Sequence, residues 1–317
     1  MTRDYLCSAD YDAAKMMELF DLAAAIKALA KRRRRLSALK GYTAALVFQK
    51  PSLRTRVTFD IGMRQLGGDA IFLGPSEISL GARESIHDIA KNLERWVDII
   101  IARVFEQTSL EHFAAASAPP VINALSNDEH PCQAMADLFT LYEKGVKFEK
   151  TRFAFIGDGN NVCASLMIAG ASLGMDVRVA TPEGYEPSAV VIEKARSLAR
   201  ESCGGLLVTN DPRQAVSCAS AVYTDTWASM HTEHEAQERR PLFTPFQVNP
   251  ALLKGAEPDA VIMHCLPAHR GEEITDEVMD CKNSIVFDQA ENRLHMQKAI
   301  ILDCLGAVEE ARREITG

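Results

Sequence analysis

The 317-residue sequence has no long apolar run, no paired cysteine spacing and no excess of positive charge. Each absence excludes a class of function. No stretch approaches the length needed to cross a bilayer, and Met1-Thr2-Arg3-Asp4 lacks the apolar core of a secretion signal, so no membrane partner is expected. The cysteines Cys7, Cys132, Cys163, Cys203, Cys218, Cys265, Cys281 and Cys304 are scattered and never form C-x-x-C. That pattern fits neither a zinc site nor a disulfide framework, and points to a reducing, cytoplasmic setting. With 35 basic against 43 acidic residues the net charge is −8, which disfavours nucleic acid as a partner. The run Lys31-Arg32-Arg33-Arg34-Arg35 is a local exception that ends a helical segment, where cations suit the dipole. Internal repeats and low-complexity segments are also missing.

What the chain does contain is a steady alternation of short apolar runs and amphipathic stretches. Strands are expected at 43–48, 70–73, 98–102, 120–123, 152–156, 176–180, 206–208, 221–224, 260–263 and 284–287. Helices are expected at 12–34, 54–66, 84–95, 131–144, 161–173, 188–201 and 288–305. This alternation and the length predict an α/β protein of two domains, each a parallel sheet with helices on both faces. The polar stretch Glu143 to Lys150 marks the boundary, giving a first domain over 1–145 and a second over 150–287. The last helix, 288–317, has no strand after it and is expected to pack back on the first domain.

Ser52-Leu53-Arg54-Thr55-Arg56 stands where a buried strand, Ala44 to Phe48, hands over to a helix. The first N–H groups of a helix lack intrahelical partners and the dipole is positive there, so the junction suits an anion. Two arginines and two hydroxyls would add charge-assisted bonds to phosphate oxygens. An ordinary helix start with Ser52 as N-cap explains the same five residues equally well.

Other segments carry chemistry of the same kind. Gly157-Asp158-Gly159-Asn160-Asn161 follows a strand and resembles the start of a dinucleotide fingerprint, which would make the chain an oxidoreductase. Val162 stands beyond it where the third glycine is absent, and the region about twenty residues on reads Val179-Ala180-Thr181-Pro182, without the acid that ribose binding needs. His130-Pro131-Cys132-Gln133 sits at a helix start, with Pro131 suited to the first helical position. His264-Cys265-Leu266-Pro267 ends one strand and Asp225-Thr226-Trp227-Ala228-Ser229-Met230 follows another. Cys265 is compatible with a functional thiol, although a buried structural cysteine is the commoner outcome.

The order S-x-R-T-R, H-P-x-Q, D-x-x-x-S-M and H-C-L-P resembles the motif series of the carbamoyltransferases, and the last two look like the ornithine carbamoyltransferases in particular. The resemblance runs from about Asp4 to Leu305 and includes Gln65-Leu66-Gly67-Gly68 and Ala290-Glu291-Asn292-Arg293. It implies a carbamoyl-phosphate domain followed by an ornithine domain, with a cleft that closes over both substrates, and a homotrimer. Ser76 to Gly81 would then reach a neighbour's site. Carried over residue by residue, it implies that Ser52, Arg54 and Thr55 hold the phosphate, with the N–H of Leu53. Arg103 would bridge phosphate and carbonyl oxygen, His130 would donate to that carbonyl, Gln133 would bind the carbamoyl NH2, and Arg293 would add charge. Asn161, Asp225, Ser229 and Met230 would bind ornithine, and Cys265 with the carbonyl of Leu266 would line the reaction centre. Arg103, His130, Asp225 and Cys265 are the residues expected to act in the reaction itself, with no metal or organic cofactor required.

Three residues depart from the family pattern. Leu53 replaces the usual threonine, Gln49 stands where glutamate is common, and His231 follows Met230 where glycine is the habit. Leu53 is similar to the acetylornithine enzymes, which lack D-x-x-x-S-M, so another amine such as acetylornithine or putrescine is the alternative substrate.

Overall fold

The computed structural model describes residues 3–78, 84–228 and 233–317. It divides into two units, one of residues Met1–Phe139 with Glu291–Gly317 and one of Thr140–Ala290.

In the first unit β1 (Thr43–Phe48), β2 (Asp69–Leu73), β3 (Ile99–Arg103) and β4 (Val121–Leu125) form a parallel sheet ordered β2-β1-β3-β4. In the second, β5 (Arg152–Ile156), β6 (Asp176–Ala180), β7 (Gly205–Thr209), β8 (Ala221–Thr224) and β9 (Val261–His264) form a parallel sheet ordered β7-β6-β5-β8-β9. The α/β, two-domain expectation therefore holds. Strands β3 and β4 are buried along their whole length, which is why they read as unbroken apolar runs rather than alternating ones. The edge strands β2 and β7 are only partly covered.

The expected strand at 284–287 is not formed. Ser284 makes one isolated bridge to Ile262, and the helix Val286–Cys304 begins two residues later. Ile285, just before that helix, and Val286, its first residue, are both buried. A short apolar run buried on a helix cannot be told from a buried strand by periodicity alone. By packing, the two units divide inside the helices Pro131–Glu143 and Val286–Cys304.

Each sheet has one pair of neighbouring strands from which the chain leaves in opposite directions: β1 and β3 in the first, β5 and β8 in the second. Crevices outside the carboxyl ends of such strands are where open α/β sheets bind ligands. Ser52 follows β1, Arg103 ends β3, Gly157 to Asn160 follow β5 and Asp225 follows β8. The topology thus brings the sequence motifs to two switch points, one per unit.

Gly159 shows how tightly the second is built. A Cβ there would lie 2.3 Å from the Pro187 nitrogen and 2.5 Å from the Glu186 carbonyl carbon, both backbone atoms that cannot swing aside. Gly159→Ala should therefore cost roughly 2–3 kcal/mol. Gly184→Ala, where φ is +85° and nothing lies within 4 Å, should cost only about 1 kcal/mol of backbone strain. Urea midpoints of the two variants check the ranking.

Candidate active site

Ser52 caps the helix Leu53–Gln65, its hydroxyl accepting from the Thr55 N–H. The Thr55 hydroxyl is fully buried, 3.0 Å from Ser52 Oγ, and accepts from Arg293 Nη2 at 2.9 Å. Arg293 Nη1 donates to Gln133 Oε1 at 2.8 Å, and Gln133 Nε2 donates to Asp137 at 2.8 Å. Arg293 comes from the helix Val286–Cys304, whose buried Asn292 accepts from Lys27 at 2.7 Å. Residues separated by more than 200 positions are thereby fixed to one helix start.

Arg103 and His130 are each about 5% exposed. Burial, then Arg293 and Arg54, lower Arg103 to about 9. Burial, then Arg293, Arg103 and Arg54, push His130 well below the ordinary histidine range. Three guanidiniums thus act on one buried, neutral imidazole. Like charges brought together out of water disfavour one another, and a cluster of this kind suits an anion.

Arg56, the second arginine of the motif, is not part of this set; its guanidinium lies 3.8 Å from the Phe72 ring centroid. Residues two apart on a helix do not share a face, so Arg54 and Arg56 cannot converge on one ligand. Gln49 Oε1 accepts from the Phe105 N–H at 2.7 Å, and its own N–H donates to the Arg103 carbonyl at 2.9 Å. Its amide ties the ends of β1 and β3 together without adding a charge beside Arg103.

In the second unit, Asp225 Oδ1 accepts from Cys265 Sγ at 3.0 Å and from the Thr226 N–H at 2.8 Å, and Oδ2 accepts from Asn160 Nδ2 at 2.8 Å. Asn160 also caps the helix Asn161–Ser172 through its Oδ1. Asn160 thus bonds Asp225, and Asn161 is the first helical residue. Leu266 has φ of +59°, a strained value for a branched side chain, and its N–H donates to His264 Nδ1 at 2.9 Å. Nδ1 must then be unprotonated, so Nε2 carries the hydrogen and donates to Glu273 Oε1 at 3.1 Å. Both His264 and Glu273 are fully buried.

Sequence reasoning missed Glu273, Asp137 and Lys27: Asp137 and Lys27 carry the signal of a lone polar residue in an apolar stretch, whereas Glu273 sits beside Glu272 in a polar stretch and carries none. Ser229, Met230 and His231 lie outside the described residues, as do positions 79–81 of the segment from Ser76.

Asp225, His264 and Cys265 could between them present metal-binding atoms within 4.8 Å, as could His269, Glu272 and Glu273. In the first group both His264 nitrogens already have partners. In the second, Glu272 pairs with Arg240, and Glu273 serves His264 and the His269 N–H. Both groups read as hydrogen-bond networks.

Two switch-point sites, one cationic and one built on a carboxylate and a thiol, define a two-substrate α/β transferase of anionic donors. Residues 3–143 match the model of the aspartate/ornithine carbamoyltransferase carbamoyl-P binding domain, and residues 149–304 match that of the Asp/Orn binding domain. The chain belongs to the aspartate/ornithine carbamoyltransferase family. It is 50% identical over 307 residues to the anabolic ornithine carbamoyltransferase of Pyrococcus furiosus, covering 97% of this chain and 98% of that one. It is 47% identical over 305 residues to the ornithine carbamoyltransferase of Archaeoglobus fulgidus, covering 96% and 98%. The solved ornithine carbamoyltransferase structure from Pyrococcus furiosus superposes with a TM-score of 0.93 at 50% identity, over 96% of this chain and 97% of that one. The Thermus thermophilus structure gives 0.85 at 43%, over 96% and 99%.

The depressed His130 makes a pH prediction. The unfolded chain gains a proton on this ring as pH falls through about 6.5, and the folded chain refuses it, so stability is lost towards acid. Between pH 7.5 and 5.5, His130→Asn should remove about 1 kcal/mol of the wild-type loss, read from urea midpoints at the two pH values.

Proposed function

We propose that this chain transfers the carbamoyl group of carbamoyl phosphate to the side-chain amine of L-ornithine, giving L-citrulline and phosphate. The observation that carries the reading is the convergence of Arg54, Arg103 and Arg293 on neutral, buried His130 beside a capped helix start.

Ser52, Arg54, Thr55 and the Leu53 N–H hold the phosphate. Arg103 spans phosphate and carbonyl oxygen, and Arg293 adds charge while fixing Gln133 and Thr55. Gln133 Oε1, with a lone pair beyond the one that Arg293 uses, accepts from the carbamoyl NH2. The neutral amine attacks the carbonyl carbon. A C–N bond forms, the oxyanion collapses, and the C–O bond to phosphate breaks with its electron pair leaving on phosphate, which carries away the surplus proton of the attacking nitrogen. His130 suits the carbonyl because a neutral imidazole donates one hydrogen without giving up its proton. Arg103 and Thr55 complete the oxyanion stabilisation. Holding donor and acceptor in line supplies proximity.

Ornithine's amine is protonated at neutral pH, with a reference near that of lysine. Asp225, with Cys265 bonded to it, orients the amine and takes up its proton. The carbonyl of Leu266 lines the reaction centre, held by the bond from its own N–H to His264. Asn161, Ser229 and Met230 complete the amino-acid site.

A homotrimer is supported by an apolar surface next to the anion cluster. Leu53 (77% exposed), Val57 and Ile61 recur every four residues on one helix, and Ile71 is half-exposed on the edge strand β2 beside it. Such a stripe fits a second copy of this chain. Light scattering should give three times the chain mass, and Val57→Asp with Ile61→Asp should lower it. A cytoplasmic location accords with the scattered free cysteines. Among the described residues no helix is long and apolar enough to cross a membrane.

The deciding experiment is a citrulline assay with ornithine, acetylornithine, putrescine and lysine side by side. Ornithine should be carbamoylated fastest. Arg54→Ala should weaken carbamoyl phosphate binding by about tenfold or more, with ornithine binding little changed, because charge-assisted bonds contribute about 1.5–3 kcal/mol each. Faster turnover of another amine would refute the substrate while leaving the reaction class intact.

A further inference from the structure

We propose that Arg239 is a positioning residue of the amino-acid site: one buried guanidinium fixes both members of the Asn160–Asp225 pair. The inference rests on the reading of Asp225 as the amine-binding carboxylate.

Arg239 lies in the helix Ala236–Phe243, and its side chain is only 8% exposed. Its Nη1 donates to Asp158 Oδ2 and to the Trp227 carbonyl, both at 3.0 Å. Its Nε donates to Glu235 Oε2 at 2.8 Å. The guanidinium carbon sits 4.8 Å from the Tyr185 ring centroid, and Phe243 packs edge-on to that ring at 4.9 Å. Three separate segments therefore meet on one planar cation: the turn after β5, the turn after β6 and the chain after β8.

The positions of its two main anchors give the arrangement its meaning. Asp158 is two residues before Asn160, and Trp227 is two residues after Asp225. Asn160 and Asp225 are themselves bonded at 2.8 Å. A displacement of either anchor moves one member of that pair, and with Asp225 moves the partner of the Cys265 thiol. Gly157, at φ of +142°, and Gly159, with no room for a Cβ, leave the β5 turn a single path, so Asp158 has little freedom to relax. Burial pushes Asp158 up to about 6, and Arg239 acts against that shift, while Asp225 and Glu235 add to it. Removal of the guanidinium would leave Asp158 neutral near pH 7 and would free both turns. A lysine keeps the charge but cannot match the planar fork or lie flat on Tyr185.

The test compares Arg239→Gln and Arg239→Lys with wild type, using whichever amine the wild-type protein carbamoylates best. That choice separates a wrong substrate from a wrong role for Arg239. The KM for the amine should rise about tenfold or more in Arg239→Gln and less in Arg239→Lys, with the KM for carbamoyl phosphate within about twofold of wild type. A second readout needs no turnover. Alkylation of Cys265 by iodoacetamide, followed by mass spectrometry, should speed up in Arg239→Gln, because the thiol loses its fixed carboxylate acceptor. The exposed Cys203 and Cys218 serve as internal references with unchanged rates. If the glutamine variant does not fold, Asp158→Ala, which removes one anchor, should give the same split in KM. An unchanged amine KM in a folded variant, an equal rise for both substrates, or an unchanged Cys265 rate would overturn the proposal.

Discussion

The first unit is organised around a deliberate electrostatic imbalance. Two buried guanidiniums, those of Arg103 and Arg293, and the half-buried Arg54 are gathered around His130, and His130 and Arg103 both register the result as a fall below their ordinary values. Such a cluster is unfavourable alone, so the surrounding fold must hold it in place. The Ser52 cap, the buried Thr55 hydroxyl, the Gln133–Asp137 bond and the Lys27–Asn292 bond all serve that end. On the proposed reading a dianion adds its charge to this cluster, and the free energy of assembling the cationic site contributes to affinity for phosphate.

The second unit solves the opposite problem. On the proposed reading a carboxylate accepts an amine that is cationic in water, and its two oxygens are already shared among Cys265, Thr226 and Asn160. These donors keep Asp225 in a fixed orientation without neutralising it. An amine entering the site therefore meets an aimed acceptor rather than a mobile one, which is the condition for orienting a nucleophile at low entropic expense. Leu266 is handled likewise: a backbone conformation that a leucine seldom adopts is held by a hydrogen bond to His264, which Glu273 keeps in one tautomer.

Much of this was legible in the sequence, and the reasons differ by element. The parallel strands announced themselves because burial on both faces leaves nothing to alternate; Ile99-Ile100-Ile101 is an example. Ser52 to Thr55 was readable because capping chemistry is local. The false strand at 284–287 arose from the same rule, since Ile285 and Val286 are buried at the start of a helix instead. Residues that act through others were invisible. Arg239 looks like one more cation in Glu238-Arg239-Arg240, and only the fold separates it from Arg240, which pairs with Glu272. Asn160 and Asn161 are chemically alike in the sequence, and the helix start decides which of them faces Asp225.

The departure at position 53 bears on substrate choice only through its likeness to the acetylornithine enzymes, since Leu53 is expected to act through its backbone N–H. The Leu53 side chain is 77% exposed, while the hydroxyl bonded to Arg293 belongs to Thr55. What position 53 offers an anion is a backbone N–H at the first turn of a helix, and that group is the same in leucine and threonine. The side chain instead continues the apolar stripe of Val57 and Ile61, so the substitution changes a surface rather than a binding site. Selection among amines must then come from the unit that holds Asp225. A site built on a polar acceptor discriminates strongly against a ligand that leaves that acceptor unpaired. On this argument the resemblance to acetylornithine enzymes at one position carries little weight beside an intact Asp225–Cys265–Asn160 network.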